Sequence, residues 1–281
     1  MKIDLHVHST ASDGKLSPKE LIDLAIRENI PAIAIADHDT LDGLEEAEKY
    51  SKSKNFEFIK GIEFSANPGD LAKEIHIVGL FVDYKNEQII NLVEKQKQFR
   101  KKARGKIIVK LNELGYEITS KEVAEYAKRE SFGRPAIAEV LMKRYPIFKD
   151  KKQVFNELLG KDGKAFCKDE SSTMEEIIKT IYAAGGIAIL AHPAYLFENA
   201  ELVISEFIRL GGKGIEVDCA YDSFGEEAKT LRDKFGEIAR KNNLLISGGT
   251  DFHEGKDIIG NHGATKEELG RLKEMIPISR R

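Results

Sequence analysis

The residues of this chain best suited to chemistry are histidines and carboxylates near the ends of predicted strands. Six of the seven histidines lie there: His6, His8, His38, His76, His192 and His253. His76 fits least well, since it falls near the start of its strand, and His262 lies elsewhere, in a loop bounded by glycines. The C-terminal ends of parallel strands converge on one edge of a sheet, so we expect the six imidazoles to meet there.

Carboxylates accompany these histidines in short motifs. The motifs are His6-Val7-His8, Asp13-Gly14, Asp37-His38-Asp39-Thr40, Gly61-Ile62-Glu63, His76, Ala191-His192-Pro193 and Asp251-Phe252-His253. Two imidazoles separated by one residue on a strand point to the same face and can bind one metal ion. Glu63 follows the apolar Ile59 and Ile62, so its carboxylate needs a partner if it is buried. Asp37 and Asp39 flank an imidazole whose ring they could orient.

This set of residues predicts a metal centre. It contains imidazoles and carboxylates but no thiolates, which suits Zn²⁺, Mn²⁺ or Fe²⁺. The nine ligand-competent residues exceed the needs of one ion, so two or three divalent ions are expected. Single motifs also have plainer interpretations, such as an ordinary turn at Asp13-Gly14 or a helix cap at Asp39 or Thr40.

Seven short apolar segments, separated by helical patterns, must position these residues. The predicted strands are Lys2–Val7, Ala32–Ala36, Glu57–Glu63, Ile75–Phe81, Ile187–Ala191, Gly214–Val217 and Leu244–Ser247. Helix starts are signalled by Ser17 with Glu20 and by Thr173 with Glu176, both spaced as capping boxes. A further helix is predicted over Gly225–Lys241. Strands that alternate with helices are typical of α/β proteins with a mostly parallel sheet.

The alternation stops between Asn86 and Ser171, where the pattern is helical throughout. We therefore predict an α/β domain formed by residues 1–85 and 172–281, with an inserted helical subdomain over residues 86–171. The first helix of the insertion is strongly basic, and we call the following residues the basic segment: Lys95, Lys97, Arg100, Lys101, Lys102, Arg104, Lys106 and Lys110. The basic segment is either a solvated helix face or a cationic wall beside a phosphate-bearing substrate.

The composition excludes several classes of protein. The chain of 281 residues is 41% hydrophobic and 32% charged, which excludes wholesale disorder. With 44 Lys+Arg against 47 Asp+Glu the net charge is −3, so stable binding to duplex DNA or to a membrane surface is not expected. The two cysteines lack C-x-x-C spacing, and we find no leader pattern and no apolar run long enough for a membrane span. These features favour a cytoplasmic protein, and they leave its oligomeric state open.

Together the motifs resemble those of the PHP (polymerase and histidinol phosphatase) family of metal-dependent phosphoesterases, and the resemblance extends from the first strand to the last. It implies a distorted (β/α)7 barrel, similar to a TIM barrel, with up to three metal ions. Carried over by position, the first ion would be held by His6, His8, Glu63 and Asp251, the second by Glu63, His76 and His192, and the third by Asp13, His38 and His253. Glu63 would bridge the first two ions.

The insertion resembles that of one subgroup of the family. Ser131-Phe132-Gly133-Arg134-Pro135 is similar to a segment of stand-alone members that act on nucleoside 3′,5′-bisphosphates and short oligoribonucleotides, although those members have a histidine where this chain has Ala136. The resemblance implies a substrate-capping insertion with substrate contacts at Ser131 and Arg134. Arg134 could grip a phosphate through two hydrogen bonds, or be a surface arginine at a helix start. His262 is a candidate substrate contact or an ordinary loop residue.

The implied reaction is hydrolysis of phosphate esters. Two close divalent ions lower the pKa of a shared water to about 7. Glu63 would hold the resulting hydroxide between the ions, with Asp251 and Arg134 assisting. The alternatives are a histidinol-phosphate phosphatase or another small phosphoester hydrolase, an amidohydrolase, and a non-catalytic metal-binding or polymerase-accessory module. The last is disfavoured because all nine ligand positions carry residues that can bind a metal.

Overall fold

Seven strands form one sheet, and their order in the sheet is their order in the chain. The computed structural model describes residues 2–72, 74–127, 133–167, 170–254 and 258–277. The strands are β1 (Asp4–Val7), β2 (Ala32–Ile35), β3 (Glu57–Ala66), β4 (Ile75–Leu80), β5 (Ile187–Leu190), β6 (Gly214–Cys219) and β7 (Leu245–Gly249). Each of the seven predicted strands is therefore confirmed, with small differences at the ends.

The strand directions differ from the prediction at one position in the sheet. β1, β2 and β3 pair in parallel, as do β5, β6 and β7, but β4 is antiparallel to both of its neighbours. The physical reason is the short connection over residues 67–74, because a parallel crossover needs a dozen or more residues. β4 therefore runs in the opposite direction, and its first residues lie beside the last residues of β3.

This reversal corrects the sequence-based description of two candidate ligands. Glu63 does not end its strand, since β3 continues to Ala66 by pairing with β4. His76 lies opposite Ser65 in that pairing, near the start of β4. Because β4 is antiparallel, the start of this strand lies at the same edge as the C-terminal ends of the parallel strands. His76 thus reaches the common edge from the other direction.

The two edges of the sheet approach each other, which makes it a nearly closed barrel. The segment after β7 bonds to β1: the Asp251 N–H donates to the His6 carbonyl at 2.9 Å, and the His8 N–H donates to the Phe252 carbonyl at 2.9 Å. Gly249 permits this approach, because a Cβ there would lie 2.5 Å from the His6 Cβ. The expected α/β barrel is thereby confirmed.

The barrel has two apolar clusters because strand side chains alternate between faces. On β2, Ile33 and Ile35 join the cluster that packs helices against the sheet, whereas Ala34 belongs to the other cluster. A register shift between Asp4 and Val7 places Leu5 in the second cluster and Val7 in the first. Such bulges re-aim side chains, and this one lies beside His6.

The helices among the described residues are, in chain order, α1 (Pro18–Arg27), α2 (Leu44–Ser53), α3 (Glu87–Glu113), α4 (Ser120–Ala127), α5 (Arg134–Arg144), α6 (Lys151–Val154), α7 (Met174–Ala183), α8 (Ala200–Arg209), α9 (Glu227–Lys241) and α10 (Lys266–Glu274). Ser17 and Glu20 form the predicted capping box at α1. Thr173 accepts a hydrogen bond from the Glu176 N–H at the start of α7. The helix before β7 also forms as predicted, since α9 lies within the expected range.

The chain divides into two compact units, Met1–Val93 with Ser172–Arg281, and Glu94–Ser171. The division falls inside α3, later than the predicted boundary at Asn86, because Ile89, Leu92 and Val93 are buried in the core of the first unit. The second unit has its own apolar core, and its described residues, 94–127, 133–167 and 170–171, contain helices but no strand.

Two expectations from the composition can be compared directly with the structure. Cys167 and Cys219 are both free, and Cys219 is buried. Among the helices of the described ranges, including the 27 residues of α3, none has the combined length and apolarity of a membrane span.

Candidate metal centre

Glu63 lies at the centre of the candidate site and is fully buried. Its Oε2 lies 3.3 Å from the Nε2 atoms of both His6 and His8. Its Oε1 lies 3.0 Å from His76 Nδ1 and 3.0 Å from His192 Nε2. The two oxygens of one carboxylate thus face different imidazoles, which is the arrangement needed for a carboxylate that bridges two ions.

The first group of possible ligands is formed by the ends of β1 and β7 with Glu63. It contains His6, His8, Glu63 and Asp251, whose ligand atoms all lie within 4.8 Å of one another. Asp251 Oδ1 is 2.9 Å from His8 Nε2 and 3.6 Å from His6 Nε2. This is the set that the sequence predicts for the first ion.

The second group is built where β4 meets β5. His76 Nδ1 and His192 Nε2 are 3.3 Å apart, and both contact Glu63 Oε1. The structure adds His38 to this neighbourhood, since His38 Nδ1 lies 2.8 Å from Glu63 Oε2 and the ligand atoms of His38, Glu63 and His76 also fall within 4.8 Å. The predicted set for the second ion is therefore present, with His38 beside it.

The third group lies in the loops that follow β1, β2 and β7. His8, Asp13, His38 and His253 offer ligand atoms within 4.8 Å of one another. His253 Nε2 is 3.3 Å from Asp13 Oδ1. Gly14 allows the loop to fold back here, because a Cβ at this position would lie 2.1 Å from the His8 carbonyl oxygen. Compared with the predicted trio, the group gains His8.

Several of these ligand atoms are buried without a partner of hydrogen-bonding geometry among the described residues. These atoms are Asp13 Oδ1, His38 Nδ1, Glu63 Oε2 and Asp251 Oδ1. An unsatisfied buried polar atom is costly. Hard and borderline donors that converge in this way suit divalent ions. The residues therefore fit a metal centre.

The electrostatics of the cluster point the same way. Burial opposes ionisation of Glu63, but the charges of His38, His6 and His76 outweigh it and hold the pKa of Glu63 well below its usual range. Burial also opposes protonation of His6, yet Glu63 and Glu216 raise its pKa well above the usual value. The carboxylates thus favour positive charge in the site, whether carried by protons or by metal ions that displace them.

Glu216 is a site residue that the sequence analysis missed. It is 1% exposed, accepts a hydrogen bond from His6 Nδ1 at 2.9 Å, and accepts one from the His192 backbone N–H at 2.7 Å. It therefore orients one candidate ligand from each of the first two groups. Its signal in the sequence is a carboxylate between Ile215 and Val217 within an apolar strand, the same signal that identified Glu63.

Left-handed backbone marks the ends of the strands that carry the ligands. His192 and Asp251 have φ values of 27° and 52°, and Asp39 has a φ of 48°. Such conformations cost about 1–3 kcal/mol each for residues other than glycine, and they persist where surrounding contacts enforce them. For His192 that contact is its N–H bond to Glu216.

Two buried aspartates hold the loops around the ligands. Asp4 accepts hydrogen bonds from the Thr250 N–H, the Thr250 hydroxyl and the Gly260 N–H, and burial raises its pKa to about 6 despite these bonds. Asp37 accepts from the Ser9 N–H and hydroxyl and from the Ser12 hydroxyl. Asp37 therefore supports the loop after β1, rather than serving only the neighbouring His38.

The expected helix cap after β2 is wrong in its position. α2 begins at Leu44 with Gly43 as its N-cap, without a side-chain cap. Thr40 instead accepts a hydrogen bond from the Asp42 N–H within the loop, and Asp39 accepts one from the Ser65 N–H. The reason is that this loop is bound to β3 before the helix starts.

Comparison with known proteins identifies the family. The family model described as the PHP domain matches residues 4–217. The chain belongs to the PHP family.

Several known proteins match this PHP chain over almost its whole length. A 5′-3′ exoribonuclease of Haemophilus influenzae is 37% identical, with 90% of each chain covered. A 3′,5′-nucleoside bisphosphate phosphatase of Chromobacterium violaceum is 28% identical over 99% of this chain and 94% of the relative. A solved structure described as an amidohydrolase from Chromobacterium violaceum, with bound sulfate and no metal, superposes with a TM-score of 0.82 at 28% identity and covers 99% of this chain and 98% of its own. The family and these relatives show that the chain is a phosphoric ester hydrolase.

Arg134 and His262, two of the predicted substrate contacts of this PHP protein, are not members of the three ligand groups. Arg134 is the first residue of α5 in the second unit, and Ala136 is buried in that unit's apolar core. Ser131 lies outside the described residues. His262 Nδ1 lies 2.9 Å from Asp218 Oδ1, and Arg232 and Lys2 also contact Asp218.

Proposed function

We propose that this PHP-family phosphoesterase hydrolyses phosphate esters of nucleoside 3′,5′-bisphosphates and of short oligoribonucleotides, with two or three divalent ions in the centre described above. The observation that carries the proposal is the position of Glu63, whose Oε1 faces two imidazoles and whose Oε2 faces three others, at 2.8–3.3 Å. The substrate class is supported by the exoribonuclease and bisphosphate phosphatase relatives.

The proposed ligand sets follow the three groups. His6, His8, Glu63 and Asp251 would hold one ion, Glu63, His76 and His192 a second, and Asp13, His38 and His253 a third. Mn²⁺, Fe²⁺ and Zn²⁺ suit these donors. Divalent ions, when bound, lower the pKa of water towards neutrality and so supply a nucleophile for in-line attack on phosphorus.

The protein's own residues divide the remaining work. Glu63 is fully buried, so it can hold ions but cannot touch a substrate. Asp251 is 37% exposed and belongs to the same group, so it is the carboxylate there that can accept a proton from the attacking water and then donate it to the leaving oxygen. Glu216 fixes the ring of His6 and the backbone of His192, which keeps both imidazoles in place during the reaction.

The second unit would supply positive charge for substrate phosphates. Arg134 is proposed to hold the phosphate that is not cleaved, because a guanidinium binds phosphate through two parallel hydrogen bonds. The basic segment has internal partners as well: Lys102 and Lys106 both contact Glu170, at 2.9 and 2.5 Å.

The test is metal analysis combined with a phosphate-release panel. The panel compares a nucleoside 3′,5′-bisphosphate, short 5′-phosphorylated RNA, histidinol phosphate and an amide substrate. We expect hydrolysis of the first two, with activity lost on chelation and restored by Mn²⁺, Fe²⁺ or Zn²⁺. Preference for histidinol phosphate would replace the proposed substrate class, and cleavage of amides alone would overturn the phosphoesterase mechanism. A metal-replete protein inert to all phosphate esters would leave only a binding role.

A further inference from the structure

An aromatic cluster adjoins the metal centre and has no part in the mechanism above. It begins three residues after His192, in the 3₁₀ segment Pro193–Asn199. The Tyr195 ring lies 5.8 Å from the His192 ring and 5.2 Å from the Phe224 ring. Phe224 lies 6.1 Å from Phe197 and 6.0 Å from the fully buried Tyr221. The rings thus form a continuous layer that reaches from the barrel core to a candidate ligand.

The outer rings of this layer face solvent. Phe197 is 60% exposed and Tyr195 is 41% exposed. Phe197 also has a φ of 52°. A bulky residue rarely adopts this left-handed conformation, and here the conformation does not bury the ring. Burial of the ring therefore does not account for the position of Phe197.

The Tyr195 ring is fixed rather than free to swing. Its hydroxyl lies 3.2 Å from the Ala220 carbonyl oxygen and 3.2 Å from Ser223 Oγ. Phe224 packs beside the ring. An exposed aromatic ring that is held in place at the edge of a catalytic centre offers a prepared surface for a flat group, because little side-chain entropy is lost on binding.

We infer that Tyr195 and Phe197 form a stacking platform for a nucleobase of the substrate. The inference rests on the proposed function, since it needs a nucleotide whose reacting phosphate lies at Glu63. His192 contacts both Glu63 and the Tyr195 ring, so a base attached to that phosphate through its ribose lies within reach of the platform. Aromatic faces stack all four bases, so the platform provides affinity for nucleotides without selecting a sequence.

Kinetics with matched substrates test this inference. The substrates are adenosine 3′,5′-bisphosphate and the corresponding ribose bisphosphate without a base. Phe197→Ala should lower kcat/KM for the nucleotide about 5- to 150-fold, the equivalent of the about 1–3 kcal/mol that one stacked base contributes. It should leave the base-free substrate unchanged. Tyr195→Phe keeps the ring and should retain nucleotide preference, whereas Tyr195→Leu should lose it.

A fluorescence titration tests binding independently of hydrolysis. The chain contains no tryptophan, so Phe197→Trp introduces a single fluorescent reporter. Its emission should be quenched by adenosine 5′-monophosphate but not by ribose 5-phosphate. Ile26→Trp is the matched control, because Ile26 is 39% exposed near the end of α1. This helix runs from the edge of the barrel that carries the candidate ligands towards the opposite edge. The emission of this control variant should not respond to either compound.

The two experiments separate failure of this inference from failure of the proposed function. Hydrolysis of nucleotides with equal effects of Phe197→Ala on both substrates would overturn the platform and leave the function intact. Absence of nucleotide hydrolysis together with base-dependent quenching at Trp would support the platform and overturn the function. Equal quenching by both compounds, or none, overturns the platform in either case.

Discussion

Removing the charge of Glu216 should weaken metal binding although Glu216 itself is not a candidate ligand. The variant is Glu216→Gln, which keeps the side-chain size. In the native protein both carboxylate oxygens accept, one from His6 Nδ1 at 2.9 Å and one from the His192 N–H at 2.7 Å. A glutamine has one oxygen and one NH₂ group, so one of the two buried donors would then face another donor.

The expected magnitude follows from these two bonds. A hydrogen bond to a charged group contributes about 1.5–3 kcal/mol, and a buried donor left without an acceptor costs about 1–3 kcal/mol. Loss of a residue that orients a ligand imidazole typically lowers metal affinity about 10- to 100-fold, or about 1.4–2.8 kcal/mol. The two estimates agree, so we expect a 10- to 100-fold loss of metal affinity. The strained backbone of His192 makes the upper part of this range the expected result.

The assay is competition between the protein and a chelator for Zn²⁺ or Mn²⁺. The control variant is Glu48→Gln, which also removes a carboxylate but lies on α2, away from the ligand groups. Circular dichroism should show that both variants are folded. Equal metal affinity for Glu216→Gln and the control would refute the orienting role of Glu216, and so would a loss of activity at full metal occupancy with unchanged affinity.

Three further predictions concern the ligands, the substrate and the stability of the fold. Glu63→Ala should lower bound metal and abolish hydrolysis in a folded protein, and full metal content with full activity would contradict the bridging position. Arg134→Ala should lower kcat/KM for nucleoside 3′,5′-bisphosphates about ten- to a hundredfold while an aryl phosphate changes much less, because about 1.5–3 kcal/mol of charged hydrogen bonding is lost. Equal losses on both substrates would place Arg134 at the scissile phosphate, and no loss on either would remove it from the site. Glu48, bonded to the Tyr84 hydroxyl, has its pKa lowered to about 2, since that bond and nearby lysines outweigh the effect of burial, so its stabilisation is complete above pH 4.5 and is lost as the pH falls towards 2. Urea unfolding should therefore show Glu48→Gln less stable than the native protein by about 1 kcal/mol at pH 7, with a difference that shrinks below pH 4.5; a constant difference would refute it.

The basic segment gives a fifth prediction, which decides between its two interpretations. Neutralising Lys101, Lys102 and Arg104 should raise KM for short RNA, and added salt should have the same effect, if the segment forms a cationic wall. Glu170→Gln weakens the contact with Lys102 without removing a basic residue, and it serves as the control for a local structural effect. Unchanged kinetics on RNA would make the segment a solvated helix face.

The sequence by itself determined the local features of this protein. All seven strands, the capping box at Ser17 and Glu20, and the helical character of the insertion follow from patterns within a few residues, because side-chain periodicity and capping are local properties. The nine candidate ligands could also be found, since imidazoles and carboxylates in apolar strands need partners. The two-residue period of a strand is enough to predict that His6 and His8 point to the same face.

Only the tertiary structure decided how these residues meet. The antiparallel direction of β4 brings His76 to the edge where the other ligands lie. The short connection before β4 excludes a parallel crossover, but the register of β4 with β3 and β5 is set only in the folded sheet. The shift of His38 towards Glu63 and the left-handed backbone at His192 likewise depend on contacts between distant strands. Glu216 shows the difference most clearly: its burial was readable from its apolar neighbours, but its partners lie 210 and 24 residues away in the chain. Closure of the barrel creates these contacts, because it turns strand ends that are remote in sequence into one shared edge.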